Sequence, residues 1–221
     1  MKTTLIKTAA ILFTSILALS VTSCSSDSAI GPLDNTNQQE QNYSTLLGQI
    51  ENIPVKELNE QEMDDLLYMR EEEKLARDVY ITMFSKWNQL TFNNISKSEQ
   101  QHMDALKYLV NRYSLTDPVS TNEVGKFTNT KLQELYTQLV QEGDVSLIDA
   151  LKVGAAIEEI DILDLYKAID ITDNEDIKNI YSNLIQGSEN HLRAFVKVLS
   201  KNGVTYVPQY LSQEQYDLIV N

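Results

Sequence analysis

The chain has two histidines, His102 and His191, and both fall on apolar stripes of predicted helices, where a polar side chain is costly unless something satisfies it. Glu99 precedes His102 by three residues, which puts a carboxylate and an imidazole on one helix face. Glu73, Glu158 and Asp161 fall in phase with leucines, tyrosines and other apolar residues of further helices. A buried carboxylate without a partner costs several kcal/mol. Four of them beside two imidazoles are reasonable when divalent cations lie between them. Two cations offset four carboxylate charges, and the imidazoles bind as neutral ligands. Oxygen-rich sites with a little imidazole suit iron or manganese. Structural zinc more often takes thiolate, and Cys24 is the single cysteine. The expected cofactor is therefore two iron (or manganese) ions, roughly 3.5–4 Å apart. Their expected ligands are Glu73, Glu99, His102, Glu158, Asp161 and His191.

These residues need long helices to bring them together. Leu66, Glu73, Tyr80 and Trp87 recur every seven residues, predicting a first long helix from about Asn59 to Trp87 with Glu73 in its seam. A second starts near Ser96 or Ser98, where serine caps well, and carries Glu99, His102, Leu106 and Leu109 before Pro118. About thirty residues follow, holding a shorter amphipathic helix near Asn129 to Gln141. A third long helix starts near Ser146, with Leu151, Glu158, Asp161 and Leu165 in its seam. The fourth runs from about Asn174 to Lys201, carries Leu184, Ser188, His191 and Phe195, and stops at Asn202-Gly203. Residues after Gly203, ending in a short helix over Ser212 to Val220, are expected to pack as a tail across the bundle. The fold class is all-α: a ferritin-like four-helix bundle with a long crossover between its two hairpins. Glu71 and Glu72 are assigned to the solvated face of the first helix, and Arg77 with Asp78 to a pair either behind the site or on the surface.

Four segments carry a family resemblance. Glu73 to Tyr80 (EKLARDVY) resembles the first metal-helix motif of rubrerythrins, and Ser98 to His102 (SEQQH) their second. Glu158-x-x-Asp161 resembles the third, with Asp in place of a Glu, and His191 to Phe195 the fourth. Arg70 to Tyr80, Gly187 to Phe195 and Pro208 to Ser212 are more similar still to the ferritin-like family called domain of unknown function 2202. The resemblance implies the ferritin-like fold and a metal centre, and no defined reaction. One position departs from the pattern. Ser188 stands where a ferritin-like site has a Glu three residues before the last His, so an open coordination position is expected there. The two metal positions are then expected to be unequal, with the weaker one beside His191.

The ends of the chain read differently. Lys2 and Lys7, the apolar run from Ala9 to Leu19 and the sequence Val21-Thr22-Ser23-Cys24 resemble a bacterial lipoprotein signal over residues 1–23, with Cys24 as the lipidated residue. Cys24 and the stretch to residue 58 are read as a tether, rich in Ser, Asn and Gln at its start, and residues 59–221 as one domain. A formal charge of −14 argues against a nucleic-acid partner and against a polybasic membrane surface. The expected location is the bacterial cell envelope, anchored in the outer membrane by lipid on Cys24, as a monomer or dimer. Two functions fit. One is a lipid-anchored di-iron protein with oxidase or peroxidase-like activity toward dioxygen, peroxide or Fe(II). The other is a non-catalytic envelope binding or structural bundle with a degenerate metal site.

Overall fold

The computed structural model describes residues 44–221, and every regular element among them is a helix. Residues 1–43, including Cys24 and the signal segment, lie outside the described residues. Helix α1 covers residues 44–51, within the stretch read as tether, and buries Leu46 and Ile50. Helix α2 spans Glu60–Trp87. Asn59 caps it in a reciprocal capping box with Glu62, and Asn88 ends it in the left-handed region at φ 51°. Helix α3 spans Leu90–Arg112, so it begins well before the serines expected to start it. Gln89 offers no side-chain cap, but the two early turns bury Phe92 and Ile95. Tertiary burial outweighs the local capping signal here. Ser96 and Ser98 are thereby left inside the helix.

After a crossover, helix α4 spans Thr130–Gly143 with Asn129 as its N-cap. Helix α5 spans Leu147–Ile171, capped by Ser146, and helix α6 spans Glu175–Lys201. Gly203 takes φ 75° to close the end of α6, where Val204 N–H donates to the Leu199 carbonyl at 3.0 Å. Helix α7 spans Gln213–Val220. Helices α2 and α3 form one hairpin and α5 and α6 the other, with α4 packed on α2 and α5. No helix among the described residues is long and apolar enough to cross a membrane.

The bundle interior is divided into two apolar clusters. Val79, Tyr80, Met83, Phe92, Leu151 and Phe195 belong to one, and Leu66, Met69, Leu106, Leu109, Leu165 and Leu184 to the other. Each long helix passes from one cluster to the other through a buried polar stretch, and the expected site residues occupy those stretches.

Several acidic residues hold the crossover rather than the site. Glu71 and Glu72 are both buried, which corrects their assignment to a solvated face. Glu71 accepts the Thr128 and Asn129 backbone N–H groups at 2.6 and 2.9 Å, and so anchors the start of α4. Asp78 is fully buried, with Lys74 Nζ at 2.5 Å, Arg77 Nη2 at 2.7 Å and the Gly125 N–H at 2.9 Å. The Arg77–Asp78 pair is thus internal and secures the crossover. Glu159, also buried, accepts the N–H groups of Gln209, Tyr210 and Leu211 at 2.9, 2.7 and 2.8 Å and the Tyr206 hydroxyl at 2.6 Å, docking the tail.

Candidate metal centre

Glu99 is the hub of the polar layer. Its Oε2 lies 2.9 Å from His102 Nδ1 and its Oε1 lies 2.9 Å from His191 Nδ1. The two imidazoles stack at 5.4 Å between ring centroids. Glu73 Oε2 is 3.1 Å from His102 Nδ1, and Glu158 Oε2 is 3.4 Å from His191 Nδ1. Both histidines therefore point Nδ1 inward, each toward two carboxylates. Glu99, His102 and His191 each place one ligand atom within 4.8 Å of the others, which is compact enough to share one cation.

The outer nitrogen of His191 is fixed. Nε2 lies 2.9 Å from Ser98 Oγ, a hydrogen bond that holds the ring with Nδ1 turned toward the site. Glycine makes room for the other ring: a Cβ at Gly187 would overlap His102 Nε2. The Tyr80 hydroxyl donates to Glu158 Oε1 at 2.5 Å and so aims that carboxylate. Asp161 meets neither histidine. Its Oδ2 accepts from the Ser188 hydroxyl at 2.5 Å. Ser188, expected to mark an open coordination position, is itself fully buried and spent on Asp161.

The electrostatics are those of carboxylates held together by protons. Burial opposes charge on His191, but Glu99 and Glu158 overcome it and push its pKa up to about 10. Burial likewise opposes charge on His102, and Glu73 and Glu99 hold its pKa well above the usual imidazole range. Burial raises Glu73 to about 7 against the pull of His102. Burial, then the charge of Glu99, raises Glu158 to about 7. For Glu99 burial is outweighed by the two imidazoles, which hold it far below the usual carboxylate range.

Hydrogen bonds do not exhaust this layer. Glu99 Oε1 and His191 Nδ1 approach closely without hydrogen-bond alignment, and Glu73 Oε1 and Asp161 Oδ1 are buried with no partner. Glu99 Oε1 and His191 Nδ1, buried and left this way, fit a cation lying between them. A family model described as an uncharacterized protein domain, DUF2202, matches residues 62–221. The chain belongs to the DUF2202 family. The uncharacterized protein MJ0754 of Methanocaldococcus jannaschii is 53% identical over 176 residues, covering 80% of this chain and 95% of its own. The crystal structure of hypothetical protein MJ0754 from Methanococcus jannaschii DSM 2661 is similar with a TM-score of 0.75 and 54% identity, covering 76% of this chain and 97% of that one. The DUF2202 match spans all the residues of the polar layer.

Within this DUF2202 domain the six expected ligands all reach the same layer, but not equally. Glu99, His102 and His191 form its compact part, Glu73 and Glu158 flank it, and Asp161 stands apart on Ser188. Ser98 and Gly187 escaped sequence reasoning. A serine that reads as an N-cap gives no sign that it bonds a histidine on another helix. The helix-interior glycine was the available signal for Gly187, since glycine there is unfavourable without a packing reason. The layer reaches solvent between α3 and α6 through a cleft of about 340 Å³, with Ser98, Gln101, His102, Gly187, Asn190 and His191 in its lining.

Proposed function

We propose that this protein is a ferritin-like metal protein whose primary cation is held by Glu99, His102 Nδ1 and His191 Nδ1, with Glu73 and Glu158 closing around it. The observation that carries this reading is the close, unaligned approach of Glu99 Oε1 to His191 Nδ1 at full burial. Each imidazole Nδ1 faces carboxylate oxygens directly, across the space where a cation would lie. The donor set of carboxylates with imidazole favours iron or manganese, and such a centre supplies redox chemistry toward dioxygen or peroxide. The chain's own residues provide the rest. Ser98 orients His191, Tyr80 orients Glu158, and the apolar clusters above and below exclude water. The α3–α6 cleft gives small molecules a path to the imidazole edges.

The test is elemental analysis of protein purified without chelator, then anaerobic Fe(II) titration and exposure to oxygen. Bound iron that oxidises faster than free Fe(II) supports a redox role. Tight binding with no faster oxidation favours the binding or structural alternative. No binding of iron or manganese refutes the metal reading.

We further propose that Cys24 carries lipid and holds the domain at the bacterial envelope, supported by the apolar run and Val-Thr-Ser-Cys in the sequence. Cys24→Ala is expected to abolish fatty-acid labelling and release the chain from the membrane fraction. Unchanged labelling contradicts it.

A further inference from the structure

The polar layer is closed on most sides. The two apolar clusters lie above and below it, and α4 packs over α2 and α5. The cavity beneath α4 has free room of only about 10 Å³ and is walled largely by Leu75, Leu135, Leu139 and Ile157, so it cannot pass a hydrated ion. Between α3 and α6 the packing is looser than within either hairpin, and the cleft of about 340 Å³ opens there. No Lys, Arg, Asp or Glu side chain lines this cleft in a chain of 32 acids and 18 bases, so its neutrality is a local feature. Its walls carry four carboxamides, on Gln101, Asn183, Gln186 and Asn190. Those of Gln101, Asn183 and Gln186 make no hydrogen bond among the described residues. The floor of the cleft is the outer edges of the two imidazoles, and they are held differently. His191 is fastened on both edges, by Ser98 at Nε2 and by Glu99 and Glu158 at Nδ1. His102 is fastened only at Nδ1, by Glu73 and Glu99. Its Nε2 lies against Gly187, where any Cβ would be 2.4 Å away.

We propose that divalent cations enter and leave the polar layer through the α3–α6 cleft, with the His102 ring as the gate. The inference rests on the metal reading above and adds the route to it. Carboxamide oxygens suit such a route. They replace part of the hydration shell of a hard cation, and lacking charge they do not trap it. A carboxylate at the mouth would hold the ion, and a Lys or Arg would repel it. Inside the cleft the ion meets the two rings, which stack at 5.4 Å between centroids and stand between it and Glu99. One ring has to turn. His191 cannot turn without losing Ser98, whereas His102 gives up no hydrogen bond at its outer edge. Once the ring turns back, Nδ1 and Glu99 close on the ion from the inner side. Gly187 serves the turning ring as well as the resting one, because a side chain there would wedge against it.

The experiment follows Co(II) uptake by the full chain in stopped flow, through the absorbance of the bound ion, with release read after a chelator chase. Gln186→Lys puts a positive charge at the mouth of the cleft. Gln138→Lys puts the same charge on the outer face of α4 as a control. Both positions are exposed, so each variant is expected to keep the fold. Gln186→Lys is expected to slow uptake at least about threefold at low salt, and less at high salt. Release slows with it, because the same barrier is crossed outward, so Kd moves less than either rate. Gln138→Lys is expected to match wild type. Equal uptake by all three proteins would overturn the route. No Co(II) bound by wild type would sink the metal reading together with it. The gate is read separately, by relaxation dispersion on the histidine-labelled, cation-free chain, which has only two imidazoles to resolve. Ser98→Ala assigns the His191 ring through the shift it causes. Microsecond-to-millisecond exchange is expected at His102 and not at His191. Two static rings, or exchange confined to His191, would overturn the gate.

Discussion

Glu99 joins the two imidazoles through its separate oxygens, and everything else in the layer is arranged around that contact. Two residues outside the ligand set decide whether the imidazoles can serve. Ser98 holds the outer nitrogen of His191, and Gly187 leaves the space that the outer edge of His102 fills. Gly187→Ala is expected to weaken the first cation at least about tenfold by displacing His102, the scale of a supporting-residue change. Because alanine is the better helix former, the cation-free variant should stay within about 1 kcal/mol of wild type. Calorimetric titration and urea unfolding read the two effects separately, and unchanged cation affinity would show that His102 has slack. That six carboxylates and imidazoles would be buried in one polar layer was legible, because such groups inside apolar seams are conspicuous. Their unequal roles were not. Helical phase puts Asp161 one turn from Glu158, but it cannot show that the Ser188 hydroxyl claims one of its oxygens. Glu72 was misplaced for a related reason: α2 is enclosed on several faces by α3, α4 and α5, so polarity alone does not mark its solvent side.

Helix α2 does two tasks along its length. Glu73 serves the polar layer, while Glu71, Lys74, Arg77 and Asp78 fasten the crossover that lets the second hairpin fold back beside the first. Lys74 and Asp78 are both fully buried, so removing one charge strands its partner. Asp78→Ala is expected to destabilise the domain by roughly 3–5 kcal/mol. It should also make residues 113–129 sensitive to protease, because the Gly125 N–H and Lys74 lose their common acceptor. A loss below about 1 kcal/mol would show that the crossover does not depend on this pair. The helices themselves were readable from their apolar recurrences, with starts placed near Asn59, Asn129 and Ser146, which the structure shows to be the N-caps. The start of α3 was not, since Phe92 and Ile95 are held by the core rather than by a cap. Helix α1 was missed because its apolar positions, Leu46 and Ile50, follow directly on a polar stretch.

At the scale of the whole domain, the polar layer trades stability against binding as pH changes. Folding raises Glu73 and Glu158 from 4.5 to about 7, so the cation-free fold binds their protons more tightly than the unfolded chain does. That contribution is present below about 4.5 and is lost as pH rises to about 7. His191, raised from 6.5 to about 10, extends the loss over that higher range. Cation binding runs the other way, because the same protons must leave before these groups can act as ligands. The melting temperature of the cation-free domain is therefore expected to fall from pH 5 to pH 9, while the stabilisation given by saturating Mn(II) grows. A stabilisation that shrinks with rising pH would contradict proton displacement from these groups. The measurement that bears most directly on the metal centre is anomalous diffraction at the iron edge, from crystals of the full chain loaded anaerobically with Fe(II) near pH 8. The expected result is a strong peak bonded to Glu99, His102 Nδ1 and His191 Nδ1, at the roughly 2.0–2.2 Å usual for such ligands to a first-row divalent ion. Iron bound elsewhere, with Glu99 still directly paired to both imidazoles, would contradict it.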